Sequence, residues 1–97
     1  METFRGNTNS EATSEQFPLA KVVNNFTLVN KAGAGVSVNV YLLNDGSSIS
    51  ISAFPTAINA GAIYTDEIPR LLRANEQIRL VTTGSTDYSF EINNAIP

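Results

Sequence analysis

From Phe26 to Ile92 apolar and polar residues recur with a period of two. Phe26 and Leu28 fall on one side of the alternation, Thr27 and Val29 on the other, the pattern of a strand with one buried face. After a turn over Asn30–Gly35 the clearest run follows. Val36, Val38, Val40 and Leu42 alternate with Ser37, Asn39, Tyr41 and Leu43, which puts the first set on one sheet face as the anchor of a core. Asn44-Asp45-Gly46-Ser47 predicts a tight hairpin turn, because glycine tolerates the positive φ such turns require.

Ser48–Phe54 alternates until Pro55, whose missing N–H and fixed φ end the strand or confine it to an edge. Asn59-Ala60-Gly61 reads as a further turn, with Ala62–Thr65 re-entering a sheet. Residues 67–74 (EIPRLLRA) are predicted to be a connector of one helical turn whose leucines plug the core. Gln77–Thr83 is a strand with Ile78 and Leu80 inward. Gly84-Ser85-Thr86 is a turn, and Asp87–Asn93 a last strand with Tyr88, Phe90 and Ile92 on one face. The expected fold is all-β, a small antiparallel β-sandwich or barrel-like domain of about 5 to 7 strands.

Before this region the pattern is different. Met1–Gln16 is rich in Thr, Asn, Ser and Glu, with Phe4 its only large aromatic side chain, a composition that cannot offset the entropy of ordering on its own. Phe17-Pro18-Leu19-Ala20-Lys21-Val22-Val23 concentrates apolar residues that can pack on a neighbour or on the domain itself. The expected organisation is an extended N-terminal arm over residues 1–23 and a β domain over 24–97. The arm orders on a partner, and the domain folds without it.

Composition narrows the function. A chain of 97 residues is one domain with a modest core, burying about 60 to 65% of its unfolded surface. Only 15% of residues are charged, against roughly 25% in ordinary soluble domains. A surface made of Ser, Thr and Asn is compatible with permanent association, since charges are depleted at interface centres, and equally with a solvated surface that is simply neutral. The net charge of −3 and scattered Lys and Arg residues argue against binding nucleic acid by phosphate neutralisation. No apolar run reaches the roughly 20 residues that span a bilayer, and no secretory h-region opens the chain. Synthesis in the cytoplasm and no membrane partner are therefore expected.

Candidate chemistry is sparse. Histidine and cysteine are absent, which removes the commonest bases, nucleophiles and soft metal ligands. Asp66 or Glu67 with Glu76 is the one carboxylate pairing conceivable for a small hydrolase, although turn and edge roles account for these positions. Asn44-Asp45-Gly46-Ser47 offers a single carboxylate, too few for calcium. The glycines of Ala32-Gly33-Ala34-Gly35 lack the Lys-Ser/Thr ending of a phosphate loop. No catalytic, cofactor or metal residue is assigned, and the chain is expected not to be an enzyme.

Interface anchors are the better prospect. Phe4, Phe17, Leu19, Val22 and Val23 are apolar residues of the arm, and Tyr41 and Tyr64 are aromatic side chains of the type enriched at interface centres. Strand propensity alone also accounts for Tyr on a strand. Ile58, Ile63 and Val81 fit a half-exposed role that an assembly would cover.

Four segments together carry a resemblance. They are Asn25-Phe26-Thr27-Leu28-Val29-Asn30, Val36-Ser37-Val38-Asn39-Val40-Tyr41-Leu42, Asn59-Ala60-Gly61-Ala62 and Leu71-Leu72-Arg73-Ala74-Asn75-Glu76-Gln77-Ile78. Over about residues 24–96 the chain resembles small β-sandwich virion proteins of tailed bacteriophages, in which a T-V-x-V-x-L strand precedes an I-x-A-G turn and an L-L-x-A-G-D-x-I step. Asn75-Glu76 stands where that pattern has Gly-Asp, and asparagine visits positive φ more readily than most residues.

The resemblance implies a structural role in the particle. The leading expectation is a capsid-associated decoration or minor head protein, homo-oligomeric or lattice-bound, that meets other virion proteins through its arm and one sheet face. A neck or tail protein, or a receptor- or glycan-binding module on a virion fibre using Asn24-Asn25 and Asn93-Asn94, stand beside it.

Overall fold

The computed structural model describes residues 2–44, 47–49 and 56–95, with side chains over 2–43 and 57–95. These residues form two antiparallel five-stranded sheets packed face to face. In chain order the strands are β1 (Glu2–Thr8), β2 (Glu11–Thr13), β3 (Lys21–Asn30), β4 (Val36–Asn44), β5 (Ser47–Ile49), β6 (Thr56–Ile58), β7 (Ile63–Asp66), β8 (Arg70–Leu72), β9 (Gln77–Thr82) and β10 (Thr86–Asn94). The first sheet runs β1-β10-β3, with β7 and β8 both on the far side of β3. The second runs β2-β9-β4, with β5 and β6 both against β4.

The alternation read from the sequence is the alternation that is buried. Val36, Val38, Val40 and Leu42 line the core from β4, Ile78 and Leu80 from β9, Phe26 and Leu28 from β3, and Phe90 and Ile92 from β10. Each such side chain contributes about 1.5 to 3 kcal/mol by leaving water. Their Ser, Asn and Thr alternates face outward, so a one-residue slip of any central strand would expose its whole apolar set.

The first sheet is organised by a row of rings. Phe4, Phe90 and Phe26 are directly opposed on β1, β10 and β3. Phe26 stacks on Phe90 with centroids 5.0 Å apart, and Phe4 lies 5.6 Å from Phe90 and 4.9 Å from Tyr88. Tyr64 extends the row 6.3 Å beyond Phe26. Such cross-strand aromatic pairs add about 0.5 to 1.5 kcal/mol each beyond the area they bury.

The expected arm at residues 1–23 is part of the sandwich. β1 pairs with β10 along its whole length, from Glu2↔Ile92 to Thr8↔Thr86. The chain then crosses to the second sheet, where β2 pairs with β9. Backbone bonds from Ser14 to Ile78 and between Phe17 and the Asn75-Glu76 turn continue the seam. Phe17 and Val23 are 4% exposed and belong to the core, so the apolar grip expected for a neighbour is satisfied internally. No boundary separates residues 24–97 from what precedes them. Disorder was inferred from composition, but β1 needs only Phe4 inward because the rings of β10 and β3 supply the rest of the apolar contact.

The expected helical connector is also absent. Residues 67–69 are irregular and lead into β8, with Leu72 fully buried and Leu71 54% exposed, so one leucine of the pair plugs the core. Asn75 has φ 68° at the β8–β9 turn, a conformation asparagine adopts more readily than most residues. Gly61 has φ 74° in the Asn59–Ala62 turn, where the Ala62 N–H donates to the Asn59 carbonyl at 3.0 Å. β4 and β5 pair from Leu42↔Ile49 to Asn44↔Ser47. The expected Asp45-Gly46 turn and the end of the Ser48–Phe54 strand at Pro55 lie outside the described residues.

Two outcomes follow from this packing. Phe90→Ala is expected to lower the unfolding free energy by about 3 to 5 kcal/mol in urea titrations. A chain lacking residues 1–23 is expected to lose its cooperative thermal transition, because β1, β2, Phe17 and Val23 go with it; an unaltered melt would restore the boundary at residue 23.

Candidate functional site

One edge of the first sheet, without a neighbouring strand among the described residues, is a single strand interrupted once. β7 pairs with β3 from Val29↔Ile63 to Phe26↔Asp66, and β8 resumes on the same side from Val23↔Arg70 to Lys21↔Leu72. Between them Glu67, Ile68 and Pro69 stand against Asn24 and Asn25, an extra residue that the edge must bulge to hold. Pro69 fits there because a bulged edge asks no N–H of it.

A buried ion pair holds the bulge in shape. Asp66 accepts two parallel bonds from Arg70, Nη1 to Oδ1 and Nη2 to Oδ2, both at 2.9 Å, and a third from the Ile68 N–H at 2.9 Å. The Asp66 side chain is 4% exposed and that of Arg70 18%. Arg70 also lies 5.6 Å from the centroid of the Phe26 ring, so its guanidinium is tied to the aromatic row as well as to the carboxylate. The hydrogen bonds from Arg70 hold the Asp66 carboxyl below its ordinary value of 3.8, against desolvation, which pushes the other way; the Ile68 N–H and the Arg70 charge add to the lowering.

This clamp leaves large aliphatic side chains on the outside of the edge. Ile63 is 68% exposed and Ile68 63%, and Leu71 on β8 sits opposite half-buried Val22 on β3. Leu19, 70% exposed, precedes β3 at the same end of the sheet. Aliphatic groups strung along a strand edge that has no partner among the described residues are what a partner surface covers.

Of the sequence-chosen anchors, the structure leaves Leu19 exposed and Val22 half-buried beside Leu71. Tyr41 is half-buried, opposite Arg79 on the outer face of the second sheet. Tyr64 and Phe4 are partly buried against the core, while Phe17 and Val23 lie within it. Ile63 keeps the exposed role considered for it, whereas Ile58 is buried at 4% exposure. Ile68 and Leu71 were missed as surface groups. The signal available was Pro69, which marks an edge, and an edge strand exposes its outward aliphatics.

The carboxylates weighed for hydrolysis are each engaged locally. Asp66 is clamped as described, and Glu76 is buried with its Oε1 accepting the Arg73 N–H at 2.6 Å across the β8–β9 turn. Among the described residues no group of three or more Asp or Glu side chains is placed to hold a metal ion. A shallow trough of about 490 Å3 on the outer face of the first sheet is lined by Arg5, Thr27, Val29, Asp87 and Ser89 among others. Comparison with family models, with curated proteins and with solved structures finds no match.

Asp66→Asn is expected to cost about 2 to 3 kcal/mol, because it leaves the Arg70 guanidinium partly buried without its counter-charge. Since the carboxyl is depressed in the folded state, the stabilisation is complete above 3.8 and is lost as pH falls through the lower, folded value. Urea midpoints of the two chains across an acid pH series check this: the gap should close at the acid end, and a gap constant with pH would remove the ionic origin.

Proposed function

We propose that this chain is a structural protein of a tailed bacteriophage particle, a capsid-associated decoration or minor head protein. It docks on neighbouring subunits through the β7–β8 edge of its first sheet. The observation that carries the reading is the clamped edge with Ile63, Ile68 and Leu71 outward. A rigid apolar ridge on a strand edge is suited to lasting contact, and the Asp66 and Arg70 charges beside it are already paired with each other. The particle itself is inferred from the resemblance carried by the β3, β4, Asn59–Ala62 and β8–β9 segments. In this reading the N-terminal strands complete the domain, and docking falls to the opposite edge. A neck or tail position uses the same edge with fewer copies.

A second reading, a receptor- or glycan-binding module, draws on the polar trough that contains Thr27, Ser89 and Asp87. Binding of a multivalent form of the chain to a glycan array, abolished by Arg5→Ala, would support it.

The leading reading is tested in gradient-purified particles of the phage that encodes the chain. The chain is expected in the particle, in hundreds of copies for capsid decoration or a single ring's worth for a neck. The double variant Ile68→Asp, Leu71→Asp should keep its far-ultraviolet spectrum and melting transition yet be at least tenfold depleted from particles. Absence of the unaltered chain from particles overturns the proposal, and undiminished incorporation of the variant removes the edge from it.

A further inference from the structure

Next to β8, where Lys21 pairs with Leu72, three side chains from three strands of the first sheet meet at the mouth of the sandwich. Lys21 on β3 is directly opposed to Asn94 on β10, and Glu2 on β1 is opposed to Ile92 of that same strand. The pleat places Glu2, Ile92, Asn94 and Lys21 on the inner face, in line with the buried Val23 and Leu72. They line a recess of about 230 Å3 with Asn93. The Lys21 Nζ donates to Asn94 Oδ1 at 2.7 Å and lies 3.6 Å from Glu2 Oε2, and its side chain is only 12% exposed.

A lysine whose stem is packed against a core, with its nitrogen held at a carboxamide and a carboxylate beside it, has the three parts of an amide exchange. We propose that Lys21 and Asn94 form an intramolecular isopeptide bond, with Glu2 as the proton shuttle. The Glu2 carboxylate takes one proton from the Lys21 ammonium, which frees the nitrogen lone pair. Nζ then adds to Cγ of Asn94, and the oxyanion so formed collapses as the Cγ–Nδ2 bond breaks. Glu2 returns its proton to the departing nitrogen, which leaves as ammonia, and the Glu2 carboxylate then takes the second proton from Nζ to leave the neutral amide. One C–N bond forms and one breaks, ammonia is the only product released, and nothing is oxidised or reduced.

Positioning is what makes the exchange feasible. Lysine and amide side chains free in water do not react at a useful rate, whereas groups held in contact gain effective molarities of about 10⁵ M or more. Here the contact is enforced by the β3–β10 register. Glu2 is brought in by β1, which the Phe4–Phe90 contact anchors. The product would join β3 to β10 near their ends and close most of the chain into a covalent loop.

The test is the intact mass of the purified full chain, measured in denaturant after incubation at neutral pH. The expected result is a mass one ammonia lighter than the sequence, with a protease digest giving a branched peptide that joins the Lys21 and Asn94 segments. Lys21→Arg keeps a cation beside Asn94 and Glu2 but cannot exchange, so its mass should be undiminished while its melting transition stays cooperative. Glu2→Gln should slow the loss at least tenfold. Full sequence mass in the unaltered chain overturns the proposal. So does an ammonia loss that persists in Lys21→Arg, which would mark succinimide formation at an asparagine; unchanged kinetics in Glu2→Gln would overturn the role of Glu2.

Discussion

The contact of Phe26, Phe90 and Phe4 across three adjacent strands fixes most of what else is observed. It sets the register of β1, β10 and β3 at one level, and the twist and pleat then determine which residues of those strands face inward. A small domain has little area to bury, so concentrating rings at the centre of one sheet gives each strand a large share of its stabilisation from one place. Arg70 closes the row on the β8 side, 5.6 Å from the Phe26 ring. The same aromatic centre therefore supports β1 at one end and the bulged edge at the other.

The clamp at the edge is costly in isolation. Taking Asp66 and Arg70 out of water gives back much of their Coulombic attraction, and an apolar pair of similar volume would pack there at lower cost. What the ion pair adds is shape. Three hydrogen bonds to one carboxylate hold Glu67–Pro69 in a defined bulge, and a defined bulge holds Ile68 outward at 63% exposure. A flexible loop carrying the same residues would lose conformational entropy on docking, whereas this one has lost it in folding.

The central strands were legible because their alternation is strict, and burial follows it residue by residue along β4 and β9. β1 was not legible. Its inward positions are Glu2, Phe4, Gly6 and Thr8, and only one is a large apolar residue. The reason is steric at Gly6, where an added Cβ would lie 2.8 Å from the Tyr88 hydroxyl oxygen; the ring of Tyr88 occupies the space that a side chain on β1 would fill. Residues 67–72 misled for a different reason. The adjacent leucines look like a core-facing helical turn, but on an edge strand one of two neighbours must face out. Where the edge lies depends on pairing across tens of residues, which local pattern does not encode. The same holds for Lys21, Asn94 and Glu2, whose proximity is a product of register alone.

Two neighbouring sites of the first sheet differ in how they treat charge, and the difference has a physical logic. At the bulge a carboxylate and a guanidinium are paired in fork geometry, each satisfying the other's directional bonds, and the result is a static element. At the sandwich mouth the cation is an ammonium. It has no fixed plane, and it reaches a neutral carboxamide at 2.7 Å more closely than the carboxylate at 3.6 Å. An arginine there would give a better ion pair with Glu2. Lysine is the residue that can surrender a proton and become a nucleophile, and an amide is the partner that can lose a nitrogen. In a chain with no cysteine, the means to join two strands covalently must come from such groups. The inner face of β3 and β10 is where the register holds them still enough for it.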